Sequence, residues 1–114
     1  MNSLKYYLKL YLILETSQLK LPLGDFIMQA VEGGVTAIQL RDKTATAAER
    51  YETAKSLASL MNDKDVLFVV NNNPDLALAA GADGVHLGAE DLPPFAVRKA
   101  FPALVTGYSC NNEA

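Results

Sequence analysis

Four short polar stretches each follow an apolar run of strand length. The first is Gln39-Leu40-Arg41-Asp42-Lys43. Side chains of an extended chain alternate faces, so Gln39, Arg41 and Lys43 fall on one side and Ile38 and Leu40 on the other. A guanidinium matches phosphate oxygens with a planar fork, and an ammonium adds a point charge. This set can clamp a diphosphate. It can equally form surface pairs, Arg41 with Asp42 or Lys43 with a glutamate, which stabilise little. The second stretch, Asn71-Asn72-Asn73-Pro74-Asp75, either offers the Asn71 amide to a ligand or serves as a turn and helix cap. The third runs from Asp83 to Pro93 and holds Glu90 and Asp91 in one loop. Carboxylates there suit Mg²⁺ completed by substrate phosphate, and the plainer alternative is Asp91 as a helix cap. His86, the one histidine, reads as a hydrogen-bonded structural residue rather than a base. The fourth stretch is Gly107-Tyr108-Ser109-Cys110. Ser109 can donate to a phosphate, but no base stands beside it in sequence, so it is not read as a nucleophile. Nothing near Cys110 in sequence would lower its pKa.

The elements between these stretches must bring them together. Tyr7–Leu14 predicts a strand and Asp25–Glu32 a short helix, stopped by Gly33 and Gly34. Thr36–Leu40 predicts a strand. Thr46–Asn62 predicts the longest helix, with an apolar stripe of Ala47, Tyr51, Ala54, Ala58 and Met61. Thr46 and Glu49 make its capping box. Val66–Val70 is the next strand. A helix then starts at Asn73 (cap) and Pro74, runs to Ala80 and stops at Gly81. Gly84–Leu87 is a strand, a helix opens at Pro93 or Pro94 and ends before Pro102, and Leu104–Tyr108 is the last strand. The order βαβαβαβαβ predicts an α/β protein with a parallel sheet. An open doubly wound sheet and part of a closed barrel both fit that order, and both place ligands beyond the C-terminal strand ends.

Length and composition limit the alternatives. The 114 residues allow one domain, and 50% hydrophobic with 20% charged is an ordinary globular composition. A net charge of −3 without a basic stripe argues against nucleic acid or anionic membrane as partner. One cysteine cannot form an internal disulfide, in keeping with a reducing compartment. Met1–Glu15 is broken by Lys5 and Lys9 and has no cleavage site, so neither a signal peptide nor a membrane span is expected. The expected location is the cytoplasm.

Three ordered motifs carry a family resemblance over nearly the whole chain. Gly33-Gly34-Val35-Thr36-Ala37-Ile38-Gln39-Leu40-Arg41-Asp42-Lys43 resembles the signature GGVTxxQLRxK of thiamine-phosphate synthases. The stretch from Asp75 to Pro93 resembles DLALxxGADGVHLGxxDLP, and Gly107-Tyr108-Ser109 resembles GxS. The resemblance implies a partial (β/α)₈ TIM barrel, with about five parallel strands and four helices. It implies a transferase that joins hydroxymethylpyrimidine diphosphate to thiazole phosphate and releases pyrophosphate. By the same resemblance Gln39, Arg41, Lys43, Asn71 and Ser109 bind phosphorylated small-molecule substrate, while Asp91 and the residue at position 72 hold Mg²⁺.

Two departures stand out. Asn72 occupies the place of a metal-binding aspartate, and Asn111 the place of a histidine. The family's second half, with its thiazole-phosphate site, has no counterpart within these residues. Residues 1–114 are therefore expected to be a single truncated barrel domain, the N-terminal half, with Asn112-Glu113-Ala114 opening a helix. Unpaired strand edges predict homo-oligomers or other association. A thiazole tautomerase-like paralogue and a non-catalytic half-barrel are the alternatives to the synthase.

Overall fold

A computed structural model describes residues 3–109. Its sheet has five parallel strands: β1 (Tyr11–Leu14), β2 (Ala37–Leu40), β3 (Leu67–Asn71), β4 (Gly84–Leu87) and β5 (Val105–Tyr108). Their spatial order is β1-β2-β3-β4-β5. That order decides what periodicity left open. A doubly wound sheet reverses direction at a switch point, whereas a barrel adds each strand beside the one before it. The sheet is open, and its progression is that of a partial barrel.

The two faces differ in what covers them. Leu14, Ile38, Leu40, Phe68, Val70, Val85 and Leu87 point outward into the main core. There they meet Ile27 of α2 (Leu23–Glu32), Ala54 and Leu57 of α3 (Ala47–Met61), Leu76 and Ala77 of α4 (Pro74–Ala80) and Val97 of α5 (Pro94–Ala100). Among the described residues, the apolar side chains buried on the inner face are Ala37, Leu67 and Val69, against Tyr7. This layering leaves the inner strand tips to polar groups.

Local chemistry explains most boundaries. Thr46 caps α3 with both halves of the capping box formed. Gly81 ends α4 at φ +88°, in the left-handed region where glycine is unstrained. After α2 only Gly34 is left-handed (φ +99°), since Gly33 stays helical. The helix itself begins two residues earlier than expected, behind Pro22. On α3, Ala47 is exposed, and Leu57 completes the buried stripe with Ala54 and Met61.

The first strand is a clear departure. Tyr7 does not start it. Leu4–Tyr7 is a helical turn, α1, capped by the Ser3 hydroxyl. Tyr7 tucks beneath the sheet, where its hydroxyl donates to Asp65 Oδ1 at 2.5 Å. The buried Thr36 hydroxyl donates to Tyr7 O and accepts from Leu10 N, both at 2.9 Å. These long-range bonds hold residues 7–10 as a bend and delay the strand to Tyr11. A 3₁₀ turn at Thr16–Gln18 follows β1 and had no counterpart in the sequence reading.

Candidate functional site

The C-terminal strand ends gather the polar stretches. Gln39, at the inner tip of β2, is 3% exposed. Its Nε2 donates to the Tyr11 hydroxyl and its Oε1 accepts from Asn71 Nδ2, each at 2.9 Å. A buried amide needs such partners, and this one has both. The result is a polar chain across three strands, Tyr11–Gln39–Asn71. Burial raises the Tyr11 pKa against the smaller lowering effect of the Gln39 bond, so the phenol stays protonated and keeps a hydrogen to donate.

Arg41 lies just past β2, and its guanidinium is 3.5 Å from Glu15 Oε1, with side chains 38% and 43% exposed. Such a wet pair contributes little stability. Asp42 is not its partner. That carboxylate accepts from the Thr16 backbone N–H at 2.7 Å and from the Thr16 hydroxyl. The Arg41–Asp42 surface pair weighed from sequence is therefore absent among the described residues. Lys43 borders a hollow of about 230 Å³ together with Arg50 and Asn71, Asn72 and Asn73. Leu40 and Val70 also line it, so Lys43 stands nearer the outward set than strict alternation implied.

Asn73 is the cap residue of α4 by position, but its side chain makes no capping bond. Its Oδ1 instead accepts from Arg50 Nη2 at 3.2 Å, while Arg50 Nη1 donates to Ala45 O at 2.9 Å. Arg50 thus ties the loop carrying Lys43 to the turn carrying Asn72. Sequence reasoning missed this residue, because a lone cation on a helix flank has no distinguishing pattern. Tyr11 was missed as well, although the Tyr11/Ile13 alternation in β1 was a usable signal.

Asn72 adopts φ +77°, a left-handed conformation that Asn tolerates better than most residues. This turns its side chain toward the loop after β4. There Asn72 Nδ2 donates to Asp91 Oδ2 at 2.5 Å, and Gly88 N donates to the same oxygen at 2.7 Å. Asp91 does not cap α5, whose cap position is Pro93. The two residues expected to share a metal therefore touch. Among the described residues no group of three His, Cys, Asp or Glu side chains gathers. One carboxylate and one amide still fit Mg²⁺ when substrate phosphate supplies further oxygens. The amide would turn over, so that Oδ1 rather than Nδ2 faces the ion.

His86 and Ser109 close the other side. His86 Nε2 is 2.5 Å from Ser109 Oγ. No base was visible beside Ser109 in sequence, because its neighbour comes from a strand 23 residues earlier. Burial lowers the His86 pKa and outweighs the opposing pull of Asp91, so the imidazole favours its neutral form. In register His86 sits between Asn71 and Gly107. Gln39, Asn71, Asn72, Asp91, His86 and Ser109 thus form a linked arc, with Arg41 and Lys43 beside its β2 end. Cys110, Asn111 and the helix start expected at Asn112 lie outside the described residues.

Strands that advance one by one, helices on their outer face and polar groups at their C-terminal ends define the class of (β/α)-barrel proteins. Within that class a family model described as thiamine monophosphate synthase matches residues 10–114. The chain belongs to the thiamine monophosphate synthase family. It is 46% identical over 113 residues to a thiamine-phosphate synthase of Coprothermobacter proteolyticus, covering 97% of this chain and 54% of that protein. It is 41% identical to a thiamine-phosphate synthase of Archaeoglobus fulgidus, covering 98% and 52%. A solved thiamine phosphate pyrophosphorylase from Pyrococcus furiosus superposes with a TM-score of 0.84 at 44% identity, covering 95% of this chain and 52% of that one. The chain spans about half the length of the curated relatives it matches.

Proposed function

We propose that this chain carries the pyrophosphate-gripping part of a thiamine-phosphate synthase-type transferase. The reaction joins hydroxymethylpyrimidine diphosphate to thiazole phosphate and releases pyrophosphate. The leaving group gathers negative charge as its bond to the pyrimidine breaks, so fixed donors and cations aimed at it lower the barrier. Arg41 and Lys43 supply the positive charge, and Gln39, Asn71 and Ser109 supply neutral contacts. Mg²⁺, held by Asp91 and Asn72, would neutralise part of the charge on the departing pyrophosphate. The observation that carries this reading is the hydrogen-bonded arc from Tyr11 through Gln39 and Asn71, continued by Asn72 to Asp91. Calorimetry with hydroxymethylpyrimidine diphosphate and Mg²⁺ tests it. Saturable binding is expected, and a flat titration at millimolar ligand would remove the proposal.

Residues 1–114 are read as one domain, the N-terminal half of such a barrel; the motif order and the half-length coverage of relatives support this. A cytoplasmic setting suits the phosphorylated substrates and the single cysteine. Among the described residues β1 and β5 are each paired on one side only, and Ile13, Val105 and Tyr108 are exposed. Open edges flanked by apolar side chains favour association. Light scattering is expected to give a mass above the 12.3 kDa of one chain; a well-behaved monomer would contradict this.

One observation favours the tautomerase-like reading, in which no metal is needed. Asn72 brings no charge to the position where the resemblance expects a metal-binding aspartate. Asn72→Asp separates the two readings. With the metal-binding reading, a second carboxylate should tighten Mg²⁺ binding roughly tenfold by adding ligand charge. It should also lower the melting temperature in chelator, through repulsion with Asp91, and restore it with Mg²⁺. A Mg²⁺ titration unchanged by the substitution would argue for a site without metal.

A further inference from the structure

We propose that His86 is a positioning residue for Ser109: its Nε2–H holds the Ser109 oxygen so that the hydroxyl's single hydrogen points at a phosphate oxygen. This role rests on the pyrophosphate reading of the site.

Geometry carries it. The Nε2–Oγ separation is 2.5 Å, between a strand residue of β4 and the residue just after β5. The imidazole has room only because its register partner is glycine. A Cβ at Gly107 would stand 2.8 Å from His86 Nδ1, closer than real Cβ atoms come, and would displace the ring. Gly107 therefore makes the seat for the imidazole two residues before the serine it meets. The backbone pins both partners. Ser109 N donates to Leu87 O at 2.9 Å, and Asn72 N donates to His86 O at 2.7 Å. The pair is thus anchored to the turn that carries Asn71 and Asn72.

Chemistry gives the direction of the bond. Phosphate oxygens at neutral pH accept hydrogen bonds, and serine has one hydrogen to give. A hydroxyl that donates to imidazole has none left for an anion. Ser109 can serve phosphate only when Nε2 carries the proton and donates to Oγ. The chain Nε2–H to Oγ–H to phosphate then runs one way, and each bond polarises the next.

The chain has one histidine, so a long-range ¹H–¹⁵N spectrum contains a single imidazole. With inorganic pyrophosphate and Mg²⁺ added to the full chain, the Nε2–H tautomer is expected, and Ser109→Ala should move the Nε2 resonance. In calorimetry with the same probe, His86→Leu should weaken binding about tenfold, as loss of a hydrogen bond to a group serving an anion does. Ser109→Ala should cost a similar factor, and the double variant no more than either alone, because the two act as one unit. His86→Gln, whose amide nitrogen reaches about as far as Nε2, should recover most of the loss. A merely structural histidine would not give that pattern of coupling and rescue. An Nδ1–H tautomer with pyrophosphate bound, additive losses, or wild-type affinity in His86→Leu would each overturn the proposal. A wild-type chain that fails to bind pyrophosphate would instead remove the reading of the site, and this inference with it.

Discussion

Arg41→Ala is expected to weaken pyrophosphate binding by about 10- to 100-fold while leaving the fold intact. The magnitude follows from the chemistry of the lost contact. Hydrogen bonds to charged groups contribute about 1.5–3 kcal/mol, and a guanidinium offers two in parallel to a phosphate. The small effect on stability follows from the surroundings. Arg41 is half-exposed, and its one ion pair, with Glu15 at 3.5 Å, is equally wet. Global stability should therefore change by less than about 0.5 kcal/mol. Calorimetry and urea unfolding on the same preparations separate the two quantities. Unchanged affinity would place the anion elsewhere, and a large loss of stability would mean that Arg41 holds the fold rather than the ligand. Arg41→Lys should recover only part of the binding, because an ammonium cannot reproduce the planar fork.

Phe68→Ala is expected to have the opposite profile. Phe68, the second residue of β3, is 2% exposed and packs outward into the main core. Truncating a buried phenylalanine costs about 3–5 kcal/mol in lost transfer energy and residual cavity. A domain of this size has about 5–15 kcal/mol in all. The melting temperature should fall by roughly 10 °C or more. Phe68→Leu, closer in volume, should cost less than about 1.5 kcal/mol. The backbone of residue 68 is tied to Asp83 by bonds the substitution leaves in place, Phe68 N to Asp83 Oδ2 and Asp83 N to Phe68 O, both at 2.8 Å. Asn71, three residues on and facing inward, should keep its place in the folded fraction. Pyrophosphate affinity per folded molecule should then be near that of the wild type. Thermal unfolding monitored by circular dichroism, with calorimetry below the transition, checks both halves of this expectation.

The contrast between these two residues indicates how much of the molecule could be read in advance. Local chemistry was legible. The Thr46 capping box, the left-handed stop at Gly81 and the proline start of α4 depend on residues a few positions apart, and all appear as expected. Long-range contacts were not legible in the same way. The strand at Tyr7 was expected from its apolar neighbours, but the bonds of Thr36 to Tyr7 O and Leu10 N shape that segment from 26 to 29 residues away. The choice between open sheet and barrel depended on which strands pair, and the family motifs pointed to the barrel where periodicity could not. Within the site, the resemblance named Gln39, Asn71, Asp91 and Ser109, but most of the pairings around them were not legible. Tyr11 meets Gln39, Arg50 meets Asn73 and His86 meets Ser109 across 23 to 28 residues; His86 was legible as a hydrogen-bonded residue, but its partner was not. The side-chain capping expected of Asn73 failed for the same reason, since Arg50 arrives from another element and takes its oxygen.

In the proposed site the inner strand tips converge on one pyrophosphate. Side-chain amide resonances report it most directly, because Gln39, Asn71 and Asn72 each carry one. On titration of the isotopically labelled chain with inorganic pyrophosphate and Mg²⁺, those three amide pairs should shift together with one common saturation curve. Saturation at ligand levels that leave these three unmoved, with the shifts confined to amides far from the β2 and β3 tips, would contradict convergence on one anion.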